Sequence, residues 1–161
     1  MDCLKSIYQT TVQSHIDYCL TVWGFTSNVN IDMVQRLQNR AARIITGNYD
    51  YNVRGLSLVK ELGWLNIRGR RDYLTALLVF KSLNGMSPDY MSDMFTYVRD
   101  ISVRHTRAAV SSSLYIPRVK KSMYSQSMYV KGPTVWNSLP SHIQQCTSLE
   151  SFKFNLKKYL Q

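Results

Sequence analysis

The chain of 161 residues has no long hydrophobic run, few cysteines and half as many acidic as basic residues. Its longest uninterrupted apolar run, Ala76 to Phe80, is far shorter than the ~20 residues that a membrane helix needs. The polar N-terminus does not predict a signal peptide. Three cysteines, an odd number, do not predict a disulfide framework and are typical of a reducing compartment. We therefore expect an intracellular protein, nuclear or cytoplasmic, that is neither secreted nor inserted in a membrane.

The sequence also lacks the common catalytic motifs. It has no Gly-x-Ser-x-Gly turn and no phosphate-binding Gly-rich loop. Two pairs of potential zinc ligands occur at a spacing of four residues, His15 with Cys19 and His142 with Cys146. However, His-x-x-x-Cys is not a common zinc half-site, and the first pair falls on the apolar stripe of a predicted helix. We therefore predict no catalytic residue, no metal and no cofactor.

What the sequence does contain is a hydrophobic content of 45%, which supports a globular core, and apolar residues spaced three or four apart. This spacing predicts a mainly α-helical fold. The first two predicted helices, 3–23 and 31–46, are joined by a short loop and are expected to pack as an antiparallel hairpin. The further helices are predicted at about 56–62, 67–84, 88–97 and 149–160.

Between residues 99 and 146 the helical periodicity fades, and serine, tyrosine and basic residues dominate. We expect an irregular basic segment there. The chain thus divides into a helical domain over 1–98, the irregular segment over 99–146, and a C-terminal helix within 147–161 that packs back on the domain. We predict that the three tryptophans are core anchors rather than platforms on which bases stack. These residues are Trp23, Trp64 and Trp136.

The formal net charge of +10 is concentrated in blocks along the chain. Residues 36–71 hold eight basic residues against two acidic ones, and residues 99–131 hold seven against one. Blocks of basic charge indicate an anionic partner, of which nucleic acid is the usual one, or else a basic surface without a specific partner.

Several short sequence motifs, called words below, occur in a specific order along nearly the whole chain. The first three are His-Ile-Asp-Tyr-Cys from residue 15, Val-Trp-Gly from 22, and Leu-Gln-Asn-Arg-Ala-Ala-Arg-Ile-Ile from 37. Later words include Leu-Asn-Gly from 83, Arg-His-Thr-Arg from 104 and Trp-Asn-Ser-Leu-Pro from 136. In this order the words resemble the C-terminal region of the reverse transcriptase of non-LTR (LINE-type, jockey-like) retrotransposons.

The resemblance implies a mostly helical thumb and post-thumb region that grips template and primer beside the polymerase palm domain in cis. The family's catalytic Tyr/Phe-x-Asp-Asp turn lies upstream of this region, and no adjacent Asp-Asp pair occurs in this chain. Two-metal nucleotidyl transfer needs clustered carboxylates. We therefore expect no enzyme activity from this chain, whereas a parent polyprotein would be an RNA-directed DNA polymerase, and Met1 is a possible chance start inside a broken element.

Two groups of arginines are candidate nucleic-acid contacts. Arg36, Arg40 and Arg43 lie at i, i+4 and i+7, so they share one face of the predicted helix 31–46. Guanidinium groups match phosphate oxygens in a bidentate way. The alternative is an ordinary solvated face.

Arg68, Arg70 and Arg71 form the second group and cluster at the start of the third long helix, where positive charge opposes the helix dipole. Contact with nucleic acid and a structural role, with Asp72 offsetting the charge, are equally compatible with that cluster.

A third candidate is a basic-aromatic segment over 104–121, in which Tyr115, with Tyr124 just beyond, accompanies basic residues. Aromatic rings stack on unpaired bases while cations hold phosphates, so this composition is typical of a contact arm for RNA. The alternative is a surface loop with locally packed tyrosines. The candidate contacts in this segment are Arg104, Arg107, Arg118, Lys120 and Lys121, with His105 beside them.

The sequence thus predicts a non-catalytic accessory region that binds RNA or an RNA–DNA hybrid. A rival of another class is a helical interaction module that docks onto the palm or onto a host protein through exposed apolar surface. A third possibility is a relic fragment without independent function.

Overall fold

The computed structural model describes residues 2–50, 52–101 and 112–161. The described chain is mainly helical, which confirms the predicted fold class, and one isolated antiparallel bridge joins Tyr97 to Leu114. The helices are α1 (Asp2–Ile7), continued by a π-helix (Tyr8–Gln13) and α2 (Ser14–Asp17), then α3 (Leu20–Trp23), α4 (Asn28–Thr46), α5 (Gly55–Glu61), α6 (Ile67–Leu83), α7 (Asp89–Ser92), α8 (Val98–Ile101), α9 (Ser122–Ser125), α10 (Met128–Asn137), α11 (Ser141–Gln144) and α12 (Leu149–Leu160).

The chain forms two compact units. The first contains the described residues up to Arg71 together with Leu160 and Gln161, and the second extends from Asp72 to Tyr159. The predicted division, with boundaries after residues 98 and 146, does not coincide with these units; it rests on charge and composition and stays a prediction.

Helix α4 is the longest element of the first unit. The sequence suggests Asn30 as its N-cap, but the helix begins after Ser27, whose hydroxyl accepts from the backbone N–H of Asn30. It ends at Gly47, where the sequence predicts its end, and this residue has a φ of 67° in the left-handed region. Helix α4 makes its most extensive helix–helix contact with α5, and its contacts with the helices before it are sparse. The helix pair of this unit is therefore α4 with α5 rather than the predicted hairpin.

The predicted helix 3–23 is interrupted. Tyr18 and Cys19 separate α2 from α3, and Cys19 has a φ of 52°, which is rare for a residue with a Cβ. Upstream, the Thr10 and Ser14 hydroxyls donate to carbonyls one turn earlier and compete with the helical ladder. The apolar spacing predicts an inner stripe that includes Leu4, Val12 and Val22, and this is wrong, because all three are exposed. Tyr8 is the only buried residue in these helices before α3, and it stacks on Trp64 with ring centroids 4.3 Å apart.

The second unit has an aromatic core. Phe152 of α12 stacks on Phe80, with ring centroids 4.2 Å apart, and lies 6.0 Å from Trp136, which is 2% exposed. The sequence offers Thr147 or Ser148 as the cap of α12, and the structure selects Ser148, whose hydroxyl accepts from the N–H of Ser151. The Trp136 indole donates to the carbonyl of Ser112, so this side chain is a core anchor as predicted.

The predicted irregular segment over 99–146 is too long. Residues 115–119 have no regular structure, but α10 and α11 occupy most of 128–144. The periodicity did not predict α10, because Gly132 and Pro133 are poor helix formers, although both are buried within this helix. A Cβ on Gly132 would lie 2.8 Å from the Phe95 ring, so close packing requires glycine at this position. The predicted helix 88–97 is shorter than expected: α7 ends at Ser92, with Pro88 as its N-cap residue.

Candidate nucleic-acid interface

The two faces of α4 differ in burial. Its buried residues recur at i, i+4, i+7, i+11 and i+14, and they are Ile31, Gln35, Gln38, Ala42 and Ile45. By the helical period, the three arginines of the stripe project away from that face. Arg36 and Arg40 are exposed, and neither side chain makes a hydrogen bond or an ion pair with any other residue in the described part of the chain. Their guanidinium donors are therefore available to a ligand.

The nearest acidic residue along the helix does not neutralise this stripe. Asp32 precedes Arg36 by four residues, a spacing that allows an intrahelical ion pair. Its carboxylate instead contacts the Arg68 guanidinium at 2.8 Å. The stripe consequently keeps its positive charge.

Arg43 has a different role from its two neighbours. It is half-buried, and its guanidinium donates to the carbonyl of Asp50 at 2.8 Å and to that of Val53 at 2.6 Å. These bonds attach the loop after α4 to the helix. The structure therefore makes Arg43 a residue that positions the loop, whereas Arg36 and Arg40 remain available.

The arginine stripe borders a cleft of about 490 Å³ in the first unit. Two of its lining side chains are exposed and apolar in part, Tyr49 at 63% and Ile44 at 51%. All three arginines of the stripe contribute to its wall. The complete lining is Arg36, Asn39, Arg40, Arg43, Ile44, Tyr49 and Gly55.

Buried glutamines hold α4 in place. The Gln38 side-chain amide donates to the backbone carbonyl of Leu65 at 3.0 Å, and the Gln35 side-chain oxygen accepts from the N–H of Ile67 at 2.8 Å. The Gln35 side-chain amide also donates to the side chains of Gln38 and Asn39. The helical spacing predicts Gln38 on the inner face, which its burial confirms, whereas Gln35 was not identified because glutamine is typical of a solvated face.

The second arginine group is engaged within the protein. Arg68 contacts Asp32, as described above, and Arg70 forms a bidentate pair with Asp17 at 2.9 and 2.7 Å. Arg71 donates to the carbonyl of Gly24, and its guanidinium lies 4.5 Å from the centroid of the Phe25 ring. These contacts favour the structural interpretation of the group, and a role in nucleic-acid binding stays a prediction.

The basic-aromatic segment is described only in part, because Arg104, His105 and Arg107 lie outside the described residues. Its remaining basic residues are exposed, and their side chains make no hydrogen bond or ion pair with the described chain. They are Arg118, Lys120 and Lys121. Two tyrosines beside them are also exposed, Tyr115 at 45% and Tyr124 at 62%. The Asn137 side chain holds the described part of the segment at Leu114. Its oxygen accepts from the N–H of Leu114 and its amide donates to the carbonyl of Leu114, each at 2.8 Å.

Exposed apolar side chains accompany the arginines on the outer side of α4, which the sequence analysis placed partly in the core. The helical spacing predicts Leu37 and Ile44 on the inner face of this helix, but Leu37 is 59% exposed and Ile44 is exposed as well. Val29 and Met33 lie on the same side at 68% and 52%. The outer surface of α4 is therefore both cationic and apolar.

Two tyrosines have shifted pKa values, and neither lines the cleft. Burial raises the pKa of Tyr8 above the usual 10.0, because it disfavours the charged phenolate. Burial likewise raises the pKa of Tyr97, an effect that the nearby Arg99 guanidinium opposes. Within residues 2–50, 52–101 and 112–161, no three His, Cys, Asp or Glu side chains come together as a metal site.

None of the described helices combines the length and hydropathy that crossing a bilayer requires. The cleft beside α4 is thus lined by Arg36 and Arg40, whose guanidinium groups are available, and by the side chains of Tyr49 and Ile44. No protein-family model, curated protein or solved structure matches the chain, so its fold and side chains carry the functional argument.

Proposed function

We propose that this chain is a non-catalytic nucleic-acid-binding region that grips the backbone of a template or primer through α4. The observation that carries the proposal is the pair of exposed arginines, Arg36 and Arg40, one helical turn apart and without intramolecular partners among the described residues. Arginine binds phosphate oxygens through paired donors in a fixed plane. One turn of helix advances 5.4 Å, which is close to the spacing of successive phosphates along a strand.

Two further features support this proposal. The words along the chain resemble the thumb and post-thumb region of LINE-type reverse transcriptases, and the absence of an adjacent aspartate pair agrees with a region that lacks the palm. The proposed partners are therefore RNA or an RNA–DNA hybrid and, in cis, the palm domain of the parent reverse transcriptase. Arg118, Lys120 and Lys121 would supply a second, looser contact, because they are exposed next to two exposed tyrosines.

A second candidate function is docking onto a protein. The observation that favours it is the exposure of Val29, Met33 and Leu37 along α4, since soluble proteins rarely expose contiguous apolar side chains without a use. The palm domain or a host protein would cover this surface. In this case the free arginines would flank a protein interface rather than a nucleic-acid strand.

The test is a fluorescence-anisotropy titration of the purified chain with an RNA–DNA hybrid and a structured RNA. Three to five phosphate contacts predict a slope of log affinity against log salt of about −2.5 to −4.5 on duplex. We expect the double variant Arg36→Gln and Arg40→Gln to reduce the magnitude of this slope by roughly 2, because two contacts are lost.

A matched control removes the same charge elsewhere. Lys157 and Lys158 are exposed near the end of α12, and their replacement by glutamine should leave the slope nearly unchanged. Equal effects of the two double variants would indicate diffuse attraction by net charge and would contradict a site on α4. A folded wild-type chain that binds neither ligand at ~50 mM salt would exclude the proposal. Stable oligomers in light scattering would then favour docking, and monomers a relic fragment.

A further inference from the structure

The cleft beside α4 has the dimensions and the lining of a ligand site. Its volume of about 490 Å³ falls within the range of roughly 300–1,000 Å³ that is typical of small-molecule pockets. Its lining combines the cationic side chains of Arg36 and Arg40 with the ring of Tyr49 and the side chain of Ile44. Cationic and aromatic side chains around one cleft fit a ligand that is anionic at one end and flat and apolar at the other.

The loop that carries Tyr49 is held against α4 by specific bonds. Arg43 donates to the carbonyls of Asp50 and Val53, as described above. Within the loop, the N–H of Asp50 donates to the Asn48 side chain at 3.0 Å, and the N–H of Val53 donates to the carbonyl of Asp50 at 3.2 Å. The described residues of this loop are therefore already held in place before the cleft binds a ligand, which favours affinity.

The lining of the cleft is also closely packed where α5 begins. A Cβ on Gly55 would lie 2.7 Å from the Asn39 side chain, so the start of α5 approaches α4 as closely as glycine allows. The side-chain oxygen of Asn39 in turn accepts from the side-chain amide of Gln35 at 2.9 Å. The wall behind the arginines is therefore fixed by the buried glutamine network.

We propose that this cleft takes one unpaired nucleotide of a bound strand, with its base against Tyr49 and its phosphate on Arg36 and Arg40. The inference rests on the proposed nucleic-acid-binding function and adds that the strand is single or locally unpaired at this site. A base inside a duplex is stacked on its neighbours, whereas an unstacked base is free to stack on an aromatic side chain. Tyr49 thereby gives the site a preference that the arginines alone do not provide, because phosphates are present on every strand.

The experiment compares an unstructured single-stranded RNA of about 12 nucleotides with a blunt duplex of the same length, both followed by fluorescence anisotropy at constant salt. We expect Tyr49→Ala to weaken binding of the single strand roughly tenfold, within the range found for lost base–aromatic stacking. Tyr49→Phe should bind like the wild type, because the ring is retained. Duplex affinity should be the same for all three proteins.

A matched control is Tyr90→Ala. The Tyr90 side chain is 70% exposed on α7, so its removal should change neither affinity. Circular dichroism of each variant checks that the helices are retained.

The outcomes separate this inference from the proposed function. If the Arg36→Gln and Arg40→Gln variant loses affinity but Tyr49→Ala does not, the stripe binds nucleic acid and the nucleotide site is wrong. Equal losses on single strand and duplex for Tyr49→Ala also overturn the inference, since stacking on an unpaired base cannot explain them. If the folded wild-type chain binds neither ligand, the proposed function fails first and the nucleotide site fails with it.

Discussion

At the scale of single residues, Tyr8 combines a favourable ring with an unfavourable hydroxyl. Its ring stacks on Trp64 and is 4% exposed, but its hydroxyl has no hydrogen-bond partner among the described residues. The Gln38 side chain lies close by, but its amide donates to Leu65 and its oxygen accepts from Gln35. An unpaired buried hydroxyl costs about 1–3 kcal/mol, whereas burial and stacking of the ring stabilise the fold.

We therefore expect the two truncations of Tyr8 to have different effects. Tyr8→Phe should leave the free energy of unfolding at pH 7 unchanged or raise it by up to about 1 kcal/mol. Tyr8→Ala should lower it by about 3 kcal/mol, because the stacked ring is lost. Urea denaturation followed by circular dichroism measures both. A clear loss of stability in Tyr8→Phe would mean that the hydroxyl has a stabilising partner.

The raised pKa of Tyr8 predicts the direction of the pH dependence. Below pH 10.0 the phenol is protonated in the folded and the unfolded chain, so it contributes no pH dependence. Above pH 10.0 the unfolded chain loses this proton first, and the free energy of unfolding of the wild type falls. The decline should be shallower in Tyr8→Phe, which keeps the similar contribution of Tyr97.

At the scale of elements, Gly47 determines where α4 ends and where the loop with Tyr49 begins. Its φ of 67° is in the left-handed region, and a Cβ at this position would meet nothing within 4 Å. A substitution here therefore changes the backbone energy alone. We expect Gly47→Ala to lower the free energy of unfolding by about 1 kcal/mol in urea denaturation.

The matched control for this prediction is Gly47→Asn. Asparagine tolerates the left-handed conformation better than alanine, so it should cost clearly less. Equal stability of both variants and the wild type would show that the turn after α4 does not need a residue in that conformation.

Helix ends with local signals were predictable, and breaks with tertiary causes were not. Gly47, Gly63 and Gly85 follow predicted helices, and all three adopt the positive φ values that favour glycine at helix ends. By contrast, the break at Cys19 depends on a left-handed cysteine that no sequence rule favours. Helix α10 escaped prediction because the packing of Gly132 on Phe95 outweighs two poor helix formers.

The arginines show the same limit at the candidate site. Spacing alone places Arg36, Arg40 and Arg43 on one helix face, but it does not reveal what each contacts. The partners of Arg43 are loop carbonyls seven and ten residues further along the chain, and Arg70 pairs with Asp17 across 53 residues. Such contacts depend on the tertiary fold, so the sequence could identify the candidates but not separate available from engaged ones.

At the scale of the whole molecule, the two basic blocks fall into different compact units. The block over 36–71 lies in the first unit with the α4 stripe, and the block over 99–131 lies in the second with the exposed residues Arg118, Lys120 and Lys121. Each unit thus has an exposed cationic group of its own. Removing one group should leave part of the salt-dependent affinity, because the other still attracts phosphates.

The same net charge of +10 predicts opposite effects of salt on folding and on binding. Twenty basic residues against ten acidic ones repel one another in the compact state, and salt screens this repulsion. Exposed ion pairs such as Arg68 with Asp32 are weak, so their loss should not offset the gain. We expect the Tm of the free chain to rise by about 2 °C between ~50 and ~300 mM salt, while its affinity for RNA falls.

Thermal unfolding followed by circular dichroism measures this effect, and the Arg36→Gln and Arg40→Gln variant is its control. Two cations fewer should give a smaller rise in Tm over the same salt range, since the repulsion to be screened is weaker. A Tm that falls with salt would show that ion pairs such as Arg70 with Asp17 outweigh the net repulsion. A rising Tm would show that the free chain is more stable at high salt. Its loss of affinity for RNA at high salt would then be caused by weakened phosphate contacts and not by unfolding.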